Sequence, residues 1–146
     1  MLWQIPEVNL MSLNPVVSAA LVPENLRMRF LPAQFGQYML KGESLVYQWL
    51  DQISKDYTGG LWDFYTLSNG GFYMAPKSDN AFKIDIIGNY FTGVLSADAA
   101  GIVASLFTLC EMANRFVDDK LINQYHWLRD FAIEHAEANL IMSAID

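Results

Sequence analysis

Three aspartates, Asp63, Asp85 and Asp98, fall in or just after a β-rich stretch of the chain. Carboxylates gathered on one sheet are what hydrolytic centres use to move a proton or to hold a divalent cation. A small metal-dependent hydrolase built on Asp63 and Asp85 is therefore one reading. Two of the three have plainer explanations. Asp85 alternates with Ile84 and Ile86 and reads as the polar face of a strand. Asp98 falls in the first turn of a helix, where a carboxylate favours the positive end of the dipole. Asp63 has no local explanation. His126 and His135 lie nine positions apart, which on one helix sets them on opposite faces and denies them a shared metal. Cys110 falls on the apolar stripe of its helix, so no Cys-His or Ser-His-Asp arrangement can be assembled around it. Gly59-Gly60 and Gly70-Gly71 lack the Gly-Lys-Ser/Thr ending of a phosphate loop and the spacing of a dinucleotide fingerprint. No catalytic, metal or cofactor-binding residue is assigned, and no cofactor is expected.

The elements that must position these residues follow from periodicity. Residues 1–14 show no period and read as an N-terminal arm whose Trp3 and Ile5 dock on the body, leaving 15–146 as one domain. Val16 to Val22 is a short β-prone run. Pro23-Glu24 opens a helical turn through Arg29 that Pro32 is expected to end. From Glu43, Leu45, Val46, Trp49, Leu50 and Ile53 recur at helical spacing, with Gly59-Gly60 as the stop. Residues 61–67 and 72–74 are aromatic-rich runs around Ser68-Asn69-Gly70-Gly71, and Asn69-Gly70 signals a hairpin with a type I′ turn. A second hairpin is expected around Gly88-Asn89, giving an antiparallel sheet of roughly four strands. Ser96 reads as the N-cap of a long buried helix that Asp118-Asp119 interrupts. Leu121 to Ile133 forms another helix, and Leu140 to Ile145 a last short one. Strands followed by a block of helices is the α+β pattern, here a single compact domain.

Composition narrows the function classes. With 146 residues, 53% hydrophobic and 17% charged, the chain can bury a sizeable core, and its single cysteine points to a reducing, cytoplasmic setting. No apolar run is long enough to span a bilayer. The net charge of -7 argues against stable binding to DNA, whose affinity comes from clustered cations. It is also too small for an imitation of DNA. A domain of this length is on the order of 38 Å across. Duplex of that length carries about 22 negative charges, about three times the number here. A nucleic-acid-binding module stays as a further alternative, separable by a salt-dependent gel shift.

The run Tyr57-Thr58-Gly59-Gly60-Leu61-Trp62-Asp63-Phe64-Tyr65-Thr66-Leu67-Ser68-Asn69-Gly70-Gly71-Phe72-Tyr73-Met74-Ala75-Pro76 resembles the signature of the ArdB/KlcA antirestriction proteins. Further resemblance lies in Arg27 to Pro32, in Gly42 to Tyr47, in Leu95 to Val103 and from Tyr125 onward, leaving only residues 1–14 outside it. The resemblance implies a protein of plasmids, prophages or genomic islands that blocks the type I restriction-modification enzyme complex of a recipient cell. It implies no enzymatic activity and no catalytic residues. Which restriction-enzyme subunit is met, and the oligomeric state, stay open.

The candidate partner surface is read from the residues themselves. The aromatic set Tyr57, Trp62, Phe64, Tyr65, Phe72 and Tyr73 is dense enough to fill both faces of a hairpin, so part of it is expected at the surface. Tyr57, Trp62, Asp63 and Tyr65 are the expected partner-binding residues, with Asn69, Gly70 and Gly71 as the structural turn. Asp146 joins them: an acidic residue at a helix C-terminus opposes the dipole, which either neutral drift on a solvated tail or a basic patch on a partner accounts for.

Overall fold

A computed structural model describes residues 16–146; the expected arm, residues 1–14, lies outside them. In chain order the elements are β1 (Ala19–Leu21), α1 (Arg27–Phe35), α2 (Met39–Ile53), β2 (Trp62–Leu67), β3 (Phe72–Pro76), β4 (Phe82–Ile86), β5 (Phe91–Leu95), α3 (Ala97–Phe116), α4 (Asp119–Ile133) and α5 (Ala138–Ile145). Short 3-10 turns occupy Glu24–Leu26, Gly36–Tyr38 and Ile87–Asn89. The class is the expected α+β. No helix among the described residues is long and apolar enough to cross a membrane.

All strand pairs are antiparallel, but they divide into a three-stranded sheet, β1-β2-β3, and a separate β4-β5 hairpin, where the sequence suggested one sheet of about four strands. The reason is what occupies the outer edge of β3. Ser105 on α3 accepts from the Met74 N–H at 3.2 Å and donates to the Met74 carbonyl at 3.3 Å, standing where a neighbouring strand would stand. Gly101, one turn earlier, lets the helix come this close: a Cβ there would collide with Ala75 Cα and the Met74 carbonyl oxygen. The edge is covered by a helix, one of the ways proteins close an edge strand.

Helix α3 is the centre of the core. Ser96 caps it, its Oγ accepting from the Ala99 N–H at 3.1 Å, and Ile102, Val103, Leu106, Leu109 and Met112 are almost wholly removed from water. Each such side chain contributes roughly 1.5–3 kcal/mol. Cys110, expected on the buried stripe, is exposed. Its flank of the helix carries half-buried Phe107 and Ala113, while Leu106, Leu109 and Met112 point inward. Val117 turns the chain at φ 46, and Asp118 caps α4 by accepting from the Lys120 and Leu121 N–H groups.

Local boundaries depart from the sequence reading where burial outweighs propensity. Helix α1 runs through Pro32 to Phe35 and stops at Gly36, φ 55. An interior proline costs about 3 kcal/mol. Phe30 and Leu31 before it and Phe35 beyond it are all buried, and Phe30 stacks on Phe64 with centroids 4.9 Å apart. Helix α2 starts at Met39 and ends at Ile53, well before Gly59-Gly60, because Ser54 turns extended at φ -140 and ψ 119. Gly59 and Gly60, φ 93 and 110, instead shape the loop into β2. The β2–β3 turn is not type I′: Gly70 alone has positive φ, 99, and the Gly70 N–H donates to the Leu67 carbonyl at 3.0 Å. The bond pattern is that of a three-residue hairpin loop ending on a left-handed glycine.

Replacing Gly101 by Ala forces α3 off the β3 backbone. The expected loss is about 1–3 kcal/mol, the usual result of overpacking a tight contact. At roughly 2–4 °C per kcal/mol for a domain of this size, thermal melting reads it directly. An unchanged midpoint would show that the approach is not tight.

Candidate functional site

Alternation along β2 separates the candidate residues onto two faces. Trp62 and Phe64 point one way, Asp63 and Tyr65 the other. Trp62 is only 3% exposed, so the expectation that it forms part of a contact surface is corrected. Its indole Nε1–H donates to the Tyr57 hydroxyl at 3.0 Å, its ring leans on Tyr47 at 5.1 Å, and its carbonyl accepts from the Arg27 guanidinium at 2.8 Å. Arg27 also lies over the Phe64 ring, 4.4 Å from its centroid, a cation–π contact. Burial, and then the Glu43 carboxylate, push the Tyr47 hydroxyl up to about 12. Tyr57 remains half-buried on this side, at the rim of a cleft of about 600 Å³ between the loops at 56–61 and 76–82.

The opposite face carries a polar network joining β3, α3 and the α4–α5 turn. Tyr65 stacks on Tyr73 at 4.7 Å, and Tyr73 on Phe131 at 5.6 Å. The Tyr73 hydroxyl donates to Asp98 Oδ1 at 2.8 Å, and Asp98 Oδ2 lies 2.8 Å from His135 Nε2. His135 Nδ1 accepts from the Glu137 N–H at 2.9 Å, which places the ring proton on Nε2, facing Asp98. The Glu137 carboxylate then takes the Ser96 N–H at 2.9 Å and the Ser96 hydroxyl at 2.5 Å. In a capping box, a glutamate three residues into the helix reaches back to the N-cap. That position here is Ala99, and Glu137 does the job from 41 residues away.

Two tyrosine hydroxyls bear the effect of this crowding. Burial first, then Asp98, raises the Tyr73 hydroxyl far above its usual range. Tyr65 is raised by burial and then by Asp63 and Asp98, which marks those two carboxylates as its neighbours. Of the three aspartates considered for hydrolysis, Asp63 shares the β2 face of Tyr65, and Asp98 bonds Tyr73, whose ring stacks on Tyr65. Asp85 sits on the other sheet with its Oδ1 accepting from the Thr92 hydroxyl at 2.8 Å. Among the described residues, no group of three or more His, Cys, Asp or Glu side chains is placed to hold a metal ion.

The expectation that both histidines lie on one helix is corrected: α4 ends at Ile133, and His135 lies in the following turn. His126 is exposed. The β2–β3 turn docks on α4 through Trp127: Asn69 Nδ2 donates to its carbonyl at 2.9 Å, and a Cβ on Gly71 would lie 2.8 Å from its Cβ. Asp146 shares a recess of about 450 Å³ with Asp85, Trp49 and Phe107, away from Asp63 and Tyr65 in the sequence of contacts. The candidate residues therefore fall in three places. The His135 and Glu137 links escape sequence reading because their partners are 37 and 41 residues away; only the Ser96 cap and first-turn Asp98 leave a local signal.

Comparison with known proteins gives a consistent picture. The family model described as antirestriction protein matches residues 55–146. Two Escherichia coli proteins called antirestriction protein KlcA are similar along most of the chain. One is 53% identical over 140 residues, covering 91% of this chain and 95% of the relative; the other is 50% identical over 135 residues, covering 89% and 95%. A solved structure matches with TM-score 0.84 and 48% identity over 91% of this chain and 97% of its own. It comes from work describing a novel fold for KlcA and ArdB, with antirestriction activity against type I DNA restriction systems in vivo but not in vitro.

Replacing Tyr73 by Phe leaves Asp98 without a donor at Oδ1, an expected loss of about 1–3 kcal/mol at neutral pH. The same change alters the alkaline limb. Folded Tyr73 ionises above the value of 10 that holds in the unfolded chain, so its stabilisation is present below pH 10 and is lost as pH rises beyond it. Denaturant midpoints measured from pH 8 to 11 should fall less steeply in the variant. Parallel slopes would contradict this account of Tyr73.

Proposed function

Because the chain belongs to the antirestriction protein family, we propose that it relieves type I restriction of unmodified incoming DNA inside the cell, through contact with protein and without imitating DNA. The observation that carries the reading is the joint match in sequence and fold to the KlcA and ArdB structure, whose activity against type I systems is described in vivo but not in vitro. A net charge of -7 is too small for a DNA surrogate of this size, as the charge count above argues. The polar network also argues against catalysis: both ring nitrogens of His135, the Ser96 hydroxyl and the Tyr73 hydroxyl are engaged internally. The setting is the cytoplasm, where type I enzymes meet incoming DNA. Activity in cells without activity in a purified mixture fits a contact that needs a further cellular component.

Asp63 and Tyr65 form the candidate contact on one face, and Tyr57, held by Trp62 beneath it, lies on the other. Asp146 is a separate acidic contact. A metal-dependent hydrolase would be stabilised in melting by magnesium or manganese, and a nucleic-acid-binding module would shift duplex DNA in a salt-dependent gel; neither is expected here.

The reading is tested by plating unmodified phage on a host with a type I system, with and without the chain expressed. Plating efficiency should rise with expression, and equal plating despite confirmed folded protein would reject the proposal. Within that assay, Asp63→Asn should keep its melting temperature and lower relief by on the order of tenfold, about 1.4 kcal/mol of contact. Full relief from the folded variant removes Asp63 from the surface. Deleting Asp146 should likewise weaken relief without lowering stability, since it takes a carboxylate from the negative end of α5.

A further inference from the structure

The β4–β5 turn holds two large apolar side chains out in water, and its backbone is strained to do so. Ile87 is 90% exposed and Tyr90 93% exposed. Tyr90 takes φ 59 and ψ 22, the left-handed region that bulky residues avoid. The turn is fixed by its neighbours. Asn89 Nδ2 donates to the Ala144 carbonyl at 2.6 Å, and its Oδ1 accepts from the Phe91 N–H at 3.0 Å. A strained conformation over-determined by its surroundings, with its side chain in solvent, points to a use for that side chain.

What surrounds the turn says what would cover it. On one side is the recess of about 450 Å³ floored by Trp49 and Phe107, whose rings stack at 4.7 Å. On the other is a shallower one of about 370 Å³ beside Tyr90. Asp85 lines both and Asp146 the first, while neither is lined by a lysine or arginine. Such a cleft, apolar at its floor and acidic at its rim, complements a segment bearing apolar and cationic side chains. Two other occupants fit less well. Residues 1–15 of the chain carry Glu7 and no lysine or arginine. A second copy laid on the same face about a two-fold axis would set acidic rim against acidic rim.

We propose that the β4–β5 turn is a protein-docking edge for a partner segment in which bulky apolar residues lie next to arginine or lysine. The apolar groups fill the recess over Trp49 and Phe107 and lap against Ile87 and Tyr90, and the cations meet Asp85 and Asp146. This inference rests on the reading that the chain acts through protein contact, and it adds the surface and the chemistry of the partner.

The test compares the whole chain with an Ile87→Ser, Tyr90→Asn double variant. Asparagine enters the left-handed region readily, so the variant should melt at the same temperature or higher. The probe is a short synthetic peptide of Leu, Phe and Arg, with a control in which Glu replaces Arg. The Arg peptide should bind and shift the amide signals of residues 85–92, more weakly as salt rises and at least tenfold more weakly with the variant. Absence of binding, shifts on another face, equal binding of the Glu peptide, or equal binding by the variant would overturn the proposal. So would self-association of the parent chain that the variant abolishes, since the occupant would then be a second copy. In the phage assay the folded variant should lose relief; full relief would also overturn it. A parent chain that gives no relief would instead reject the antirestriction reading, while the peptide titration would still decide on the docking edge.

Discussion

Helix α3 meets the backbone of β3, and this approach sets the spacing from which the other layers hang. Gly101 removes the side chain that would hold the two apart, and Ser105, one turn on, satisfies both backbone groups of Met74. A buried peptide group left without a partner is costly, so the helix takes over the role of a fourth strand. The consequences spread outward. With that edge taken, β4 and β5 pair only with each other. With the helix start fixed beside the sheet, Asp98 comes within reach of the Tyr73 hydroxyl, and α4 can lay Phe131 on the Tyr73 ring.

Electrostatics follow the same economy. The chain has nine lysines and arginines against sixteen acidic residues, and several cations are turned to internal tasks. Arg27 serves the Trp62 carbonyl and the Phe64 ring, Lys120 donates to the Ala33 carbonyl at 2.6 Å, and Arg115 leans toward Glu111 at 3.7 Å. Exposed ion pairs of the last kind contribute little to stability. What matters more is the remainder: Asp63, Asp85 and Asp146 face outward with no cationic partner among the described ion pairs.

Much of this was legible in the residues. Ser96 and Asp98 announced the start of α3, Asp118-Asp119 its end, and the run at 68–71 the first hairpin, because each signal is local and chemical. Other readings needed the tertiary structure, as three of them show. Pro32 signals a stop, yet the burial of Phe35 carries α1 past it. Cys110 fits an apolar stripe, yet the face that meets the sheet is rotated away from it. Trp62 sits among residues suited to recognition, yet its indole is satisfied internally by Tyr57. The deciding contact is tertiary whether the partner is far along the chain or, like Tyr57 from Trp62, five residues away, and periodicity has no access to it. The candidate surface was readable only as residue types; its division into three places depends on strand alternation and on where α5 ends.

The link from Glu137 back to Ser96 bears on the order in which the molecule can be assembled. A ribosome delivers the chain from its N-terminus, so α3 emerges with its first turn only half capped, and the carboxylate that completes the cap arrives 41 residues later. Until then the N-terminal end of α3 is free to fray, and the sheet that rests on it shares that looseness. Completion of that cap therefore waits on the turn after α4, and a nascent chain halted short of residue 137 would carry α3 with its first turn only half capped.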